Sequence, residues 1–417
     1  MSTVDRISAL QDDIICHILS FLPTKVSMAT SVLARRWRFL WAHAPSLEFD
    51  SEYQRTGFNR VLLAYKMQNM NNFRLSYSMH CTEYQVETWV NIAIERNVQN
   101  LDISVSWYQF MLPQRLFTCN TLVHLSLQYC RTIPITGTAA YLPALKKLHL
   151  DRVTYESDES LPHLLSCCPV LEELFIWRIG SDMIFCHISS PTLNRLFMFH
   201  SSFWETRNKG YRLKLDTPAL KYLKLEDYDN VSAGVLTSLV EANTEAYVTF
   251  NSEITLAYSR SVLEFVSRLY NVKCLYITSF GLEVPDSEFS AWTIKFDNLT
   301  ELELETDCHF ISRFIENADN LEVLNIDLSN NDISCWMEPK QVPACLASHL
   351  QIVIISYFGC IKEQEFNLVR YFLRNAKVLK RMEICSEYCK VGLEERHEAL
   401  KRSEYLAHVS LPSVEIV

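Results

Sequence analysis

The sequence predicts an α/β fold: a curved solenoid of short parallel strands, with helices or loops outside, behind a small N-terminal all-helical domain. Three observations predict it. A phrase of the form apolar-x-x-apolar-x-apolar recurs from residue 98 to residue 379. The first fifty residues carry helical rather than strand periodicity. The composition is globular, with 48% hydrophobic and 21% charged residues, and 417 residues are too many for one ordinary core.

The helical segment comes first. Ile14, Ile15, Ile18, Leu19 and Leu22 share one face of a helix over 12–22. Asp12 and Asp13 stand at its start, where acceptors cap free N–H groups and negative charge suits the dipole. Pro23 ends it. A second short helix is expected over 24–30. A third follows Ser31, with Trp37 and Trp41 four residues apart on one side, and Pro45 closes the unit. Forty residues are too few to bury so many large side chains. From the pattern alone two arrangements stay open: the side chains pack on each other and the next domain, or one face docks elsewhere.

The repeats follow. Clear copies start at Leu122, Leu145, Leu171, Leu193, Leu220, Leu299 and Leu321, and weaker ones at Val98, Glu245, Val272, Leu350 and Leu379. Successive starts lie 22 to 29 residues apart, a leucine-rich-repeat spacing. Positions 4 and 6 of each phrase point inward along a strand, and positions 3, 5 and 7 point the other way. The Asn or Cys expected beyond each strand occurs cleanly only as Cys130, so uneven turns are expected. Toward the C-terminus a strand near 350–356, an amphipathic helix over 363–374 and a strand near 379–385 read as enlarged repeats. Domains are accordingly expected at 1–50, at 51–95 as a helical and strand connector capping the solenoid, at 96–340, and at 341–417.

Motif-borne chemistry is scarce. There are eight Gly, and the nearest two are Gly210 and Gly234, so phosphate loops, dinucleotide fingerprints and nucleophile elbows are absent. No Cys-x-x-Cys occurs, and His397-Glu398 is followed by Lys401 where a zinc helix needs histidine. Cys385 and Cys389, with His397 and His408, make a poor zinc set. The fourteen cysteines read as reduced core thiols, with Cys167 and Cys168 packed at a helix end. No metal or cofactor is expected. The net charge of −10 argues against nucleic acid. No apolar run spans a membrane, and Met1 to Asp13 has no apolar signal region. Asn230 and Asn298 head sequons that matter only after secretion.

Certain phrases resemble a known family. Asp5-Arg6-Ile7-Ser8-x-Leu10, Ile18-Leu19-Ser20-Phe21-Leu22-Pro23-Thr24-Lys25 and Thr30-Ser31-Val32-Leu33-x-x-Arg36-Trp37-Arg38-x-Leu40-Trp41 resemble a plant F-box. Leu142-Pro143-x-Leu145, Cys167-Cys168-Pro169-Val170-Leu171-Glu172 and Phe73-Arg74-Leu75 resemble the leucine-rich part of the plant F-box/FBD/leucine-rich-repeat family. Val342-Pro343-x-Cys345-Leu346 through Val378-Leu379-x-x-Met382 resembles its FBD segment, with a tail after Leu411-Pro412 shorter than the family's usual ending, so an incomplete final strand is expected.

The resemblance implies a non-catalytic substrate-recognition subunit of an SCF-type ubiquitin ligase in the nucleus and/or cytoplasm. It implies that the F-box docks a Skp-type adaptor, and through it a cullin and a RING protein, while the repeats hold an unknown target. The adaptor-facing residues are then Leu10, Ile14, Ile18, Leu19, Leu22, Pro23, Val32 and Trp37, with Trp41 holding the third helix to the body. The family's proline after Leu10 is Gln11 here. That departure keeps a second reading open, an interaction scaffold with a degenerate F-box. Outward strand positions supply the candidate target face: Phe175, Trp177, Phe197, Phe199, Tyr222, Tyr247 and Tyr276, then Glu301, Glu303 and Glu305 and, one repeat on, Asp327. Such a ladder of like charge calls for a cationic partner or water. The alternative at this stage is that the aromatics pad a covered face and the glutamates are solvated.

Overall fold

A computed structural model describes residues 7, 9–49, 55–77, 82–105, 110–131, 140–179, 185–201, 212–226, 231–234, 236–247, 252–280, 294–306, 308–329, 336–358, 363–385 and 414–416. The chain divides into two compact units, residues 1–193 with 201–208, and 194–200 with 209–417. Each is a solenoid-like stack of parallel strands with helices or loops between them, and no helix among the described residues is long and apolar enough to cross a membrane.

The first unit opens with helices Asp12–Leu19 and Thr24–Ala29, then 3-10 turns at Thr30–Val32 and Arg35–His43. Helix Asp12–Leu19 stops three residues before the expected end at Leu22. Neither Asp12 nor Asp13 provides the cap: Gln11 is the N-cap and makes no side-chain bond there. Arg36, twenty-four residues on, takes Asp12 instead, with Nη2 at 2.6 Å from its carboxylate and also donating to the Leu10 carbonyl. The third helix is 3-10 rather than α, so Trp37 and Leu40, three apart, share a face. Both are buried with Trp41 and Ala42. Thr24 ties the helical unit to the sheet, its hydroxyl accepting from the Glu48 amide at 2.7 Å.

Six strands follow in register: Ser46–Phe49, Asn72–Tyr77, Asn100–Val105, His124–Gln128, Lys147–Asp151 and Glu173–Ile179. The first two precede the first expected repeat. Ala44-x-x-Leu47-x-Phe49 and Met70-x-x-Phe73-x-Leu75 are full phrases, all six apolar positions buried. The segment read as a connector thus supplies a repeat, with helix Glu83–Glu95 capped by a reciprocal Thr82–Gln85 pair. Cys167 and Cys168 lie at the end of helix Ser160–Ser166, where the Cys168 thiol donates to the Leu164 carbonyl at 3.2 Å.

In the second unit the strand order is Arg195–Ser201, Tyr222–Glu226, Glu241–Tyr247, Cys274–Phe280, Glu301–Glu305, Val323–Asp327, Ile352–Ser356, Arg381–Cys385 and Val414–Ile416, all parallel. One expected repeat moves. The phrase placed at Glu245 starts at Leu239, because Ala242 and Thr244 take the inward places opposite Leu223 and Leu225. Both are fully buried, too small and too polar to look like leucine positions. Helix Ser252–Arg268 lengthens the following connection. The FBD-like part forms as expected, with helix Glu363–Asn375 between strands Ile352–Ser356 and Arg381–Cys385. The final strand is three residues long, Val414 pairing with Met382 and Ile416 with Ile384.

The inward rows are the core of each unit. Leu47, Phe73, Leu101, Leu125, Leu148 and Leu174 form one such row in the first unit, and all are at most 1% exposed. Phe73→Ala removes most of a ring from a close-packed row, for a loss of about 3–5 kcal/mol. Urea unfolding checks it, and a loss below about 1 kcal/mol would show that the row relaxes around the gap.

Candidate interaction surfaces

The N-terminal unit has two apolar faces. Ile15 and Leu19 are buried on one, with the Cys16 thiol donating to the Leu40 carbonyl at 3.4 Å. Ile14, Ile18 and Leu22 are exposed on the other, joined by exposed Phe21, Val26, Leu33 and Val32, which is 87% exposed. Isolated exposed apolar residues are ordinary, but here many of them stand together on a small unit. Of the predicted residues, Ile14, Ile18, Leu22, Pro23 and Val32 are exposed and Leu10 is half-buried. Leu19 and Trp37 are the corrections. Both are buried, so neither belongs to the exposed apolar face. Phe21, Val26 and Leu33 were missed. Phe21 and Val26 lie just past one helix and inside the next, where linear spacing does not show which side is covered.

Gln11 holds φ −66, the value that proline's ring imposes, with an extended ψ of 152. The glutamine therefore leaves the turn into the first helix in the shape proline would give it. Gln11→Pro should raise stability by about 0.4–1 kcal/mol by restricting the unfolded chain. A lowered thermal midpoint would mean that the Gln11 amide, or the backbone of Leu10, cannot accept the ring.

The outward face of the first unit is charged and self-paired. Glu48, Arg74, Asp102, Ser126, His149 and Phe175 stand opposite one another across successive strands. Arg74 lies 3.2 Å from Glu48 and 2.9 Å from Asp102. Lys147 meets Glu173 at 3.6 Å, and His149 stacks on Phe175 at 4.0 Å. Burial pushes the pKa values of His124 and His149 down, which favours neutral imidazoles. Glu48, Arg74, Asp102, His124 and His149 line a groove of about 740 Å³ that also touches Phe21 and Leu22. Further along, Arg152 lies over the rings of both Tyr129 and Trp177, at 4.8 and 5.2 Å. Phe175 and Trp177 are half-buried, on the outward side as predicted.

In the second unit Phe197, Phe199, Tyr222 and Tyr276 are outward and half-buried, as are Glu301, Glu303 and Glu305. Tyr247 pairs with Phe280 at the end of its strand, and its side chain lies outside the described residues. The aromatic rings are already covered by cations of this chain. Arg195 sits 4.4 Å over Tyr222 and 5.3 Å over Phe197, and Lys224 sits 5.3 Å over Phe199. Lys224 is also 3.2 Å from both Glu226 and Glu245. The carboxylates of the ladder are held by neutral donors. Tyr276 donates to Glu301 at 3.4 Å, Thr278 to Glu305 at 3.3 Å and Ser329 to Glu305 at 2.9 Å. Burial raises the pKa of Glu303, the Asn325 amide opposes that, and the like charges of Asp327, Glu301 and Glu305 add to it. Val323, Ile352 and Ile354, outward and half-buried, were missed. The signal was present: Ile352-Val353-Ile354-Ile355 is apolar on both strand faces rather than alternating.

A carboxyl whose folded pKa is raised stabilises the fold below its unfolded pKa, and that stability is lost as pH rises through the folded value. Glu303→Gln should therefore raise the thermal midpoint at pH 7.5, and the gain should shrink below about pH 4, where glutamate is protonated in both states. A constant gain across pH would assign the effect to packing.

Among the described residues no group of three or more His, Cys, Asp or Glu side chains is arranged to hold a metal ion. Cys385 ends its strand, while Cys389, His397 and His408 lie outside the described residues.

Three family models match the chain: the F-box domain over residues 7–48, the leucine-rich repeats described for the FBD-associated F-box protein At5g56370 over 86–231, and FBD over 338–384. The FBD-associated F-box protein At3g52670 of Arabidopsis thaliana is 30% identical over 97% of this chain and 95% of its own. The F-box/FBD/LRR-repeat protein At5g56420 of the same plant is 32% identical over 95% of each. A third, At4g00160, is 31% identical over 90% of this chain and 85% of its own. With an exposed apolar helical unit, two stacks of parallel repeats and full-length likeness of this extent, the chain belongs to the plant F-box/FBD/leucine-rich-repeat family.

Proposed function

We propose that this chain is the substrate-recognition subunit of an SCF-type ubiquitin ligase. Its N-terminal helices dock a Skp-type adaptor, which joins it to a cullin and a RING protein, and its repeats hold a target protein. The observation that carries the reading is the exposed face of Ile14, Ile18, Leu22 and Val32 within the residues that match an F-box. An apolar face of that kind costs solubility unless a partner covers it. The chain itself is non-catalytic. It works by positioning, raising the effective concentration of a target lysine near the ubiquitin carrier. The nucleus and the cytoplasm are the compartments this role implies.

The second reading is an interaction scaffold whose F-box recruits no ligase, and Gln11 is the feature that favours it. The proline-like torsion of Gln11 speaks for the first.

Capture of a purified Skp-type adaptor by the full chain tests the two. The wild-type chain should bind, and an Ile14→Asp, Val32→Asp variant should bind at least about ten-fold more weakly, since two charges would be buried in the contact. Both positions are exposed, so circular dichroism of the variant should match the wild type. A folded wild-type chain that captures no adaptor would give the scaffold reading the lead.

A further inference from the structure

The second unit's outward face is uneven in a way that specifies a ligand. Along one row the residues run Phe197, Lys224, Asn243, Tyr276, Glu303, Asn325, Ile354 and Glu383, each opposite the next. A neighbouring row runs Arg195, Tyr222, Glu241, Cys274, Glu301, Val323, Ile352 and Arg381. At the Phe197 end the rings carry Arg195 and Lys224 over their faces, so a partner cation gains little there. At the centre Glu301 and Glu303 face outward with Asp327 and Glu305 close by. Immediately beyond lie the aliphatic side chains of Val323, Ile352 and Ile354. Acid and aliphatic groups are thus adjacent on one sheet face.

Their separation sets the spacing of a complementary segment. Neighbouring strands are about 4.8 Å apart, so Glu303 and Ile354, two strands apart, are separated by about 10 Å. A β-strand would turn side chains three apart to opposite faces. An extended segment of polyproline II form has three residues per turn and advances about 3.1 Å per residue, so side chains three apart share a face and match that distance. We propose that this face receives an extended target segment of polyproline II form that crosses the strands. It places a lysine or arginine against Glu301 and Glu303 and an aliphatic side chain, about three residues away, against Val323, Ile352 and Ile354. The proposal rests on the reading that the repeats hold a target.

Three features fit such a ligand. Glu301 is oriented in advance by Tyr276 and Glu303 by the Asn325 amide, which lowers the ordering cost of binding. The mutual repulsion that acts on Glu303 from Asp327, Glu301 and Glu305 is relieved by an arriving cation. The aliphatic trio supplies apolar area beside the charge, so the contact is not one of charge alone.

The test uses the full chain, labelled with a fluorophore, against immobilised twelve-residue synthetic peptides. Each peptide carries one lysine or arginine and one leucine at a varied separation in a Ser/Thr background. Binding should peak near a separation of three and weaken with salt. Glu301→Gln with Glu303→Gln should lower affinity for the best peptide at least about ten-fold and flatten its salt dependence. Ile354→Ser should abolish the preference for the leucine while leaving the salt dependence in place. Binding that is flat across separations, or a best peptide indifferent to the double glutamine variant, overturns the proposal. Adaptor capture by the same preparations separates the two levels. Capture with no peptide preference sinks this inference alone, whereas absent capture by the wild-type chain counts against the ligase reading whatever the peptides do. Should the double variant fold poorly, Ile354→Ser with wild-type carboxylates still decides whether the aliphatic trio is part of the site.

Discussion

Everything on the outer faces of this protein follows from the burial of two residues per strand. In the first unit Leu101, Leu125, Leu148 and Leu174 sit opposite one another, and Ile103, Leu127, Leu150 and Ile176 do the same two residues on. In a strand the side chains alternate, so sealing these two rows assigns every other residue to the opposite face. A slip of one residue in any strand would bring charges such as Arg74 and Asp102 into the core and put leucines in water. The cost of that exchange is what makes the outward rows readable at all. Parallel pairing adds that equivalent residues of successive repeats lie beside one another, so the face is written one repeat at a time.

Repeats whose inward residues are leucine or isoleucine were legible from sequence, because size and spacing both identify them. The one misplaced start shows the limit. Ala242 and Thr244 fill inward places beneath Leu223 and Leu225, and they are recognisable only through that pairing. Ala44-x-x-Leu47-x-Phe49 was hidden for another reason: Pro45 reads as the end of a helix, and it is also the first residue past the opening position of a strand phrase. The Asp12 side chain illustrates tertiary override. Local rules favour it as a cap, but Arg36 is a charged partner and draws the carboxylate away, leaving Gln11 as N-cap. None of these outcomes depends on neighbours in sequence.

The helical unit shows why a candidate face was only partly legible. Ile14, Ile15, Ile18 and Leu19 are equally apolar, and helical spacing places them in two adjacent stripes. Which stripe is covered depends on where the 3-10 segment Arg35–His43 packs. It packs against the first helix, with Ile15, Leu19, Trp37 and Leu40 all buried and the Cys16 thiol bonded to the Leu40 carbonyl, leaving Ile14 and Ile18 in water. The resemblance to an F-box put Trp37 on the docking surface, and the structure buries it. Its burial supplies the rigidity on which the exposed stripe stands.

The two outward faces differ in how they treat charge, and the difference bears on function. Residues at equivalent positions of neighbouring parallel strands are about 4.8 Å apart, so a repeated carboxylate in one row repels its neighbour unless a cation intervenes. The first unit obeys this, with Arg74 between Glu48 and Asp102. Lys224 does the same between Glu226 and Glu245 in the second. At Glu301 and Glu303 the bonded groups are instead the Tyr276 hydroxyl and the Asn325 amide, which orient the carboxylates without neutralising them. Glu303 bears the consequence as a raised pKa. A stretch of sheet that sets Lys224 against Glu226 and Glu245, but leaves Glu301 and Glu303 bonded to neutral donors beside three aliphatic side chains, holds electrostatic free energy that a cationic partner can release.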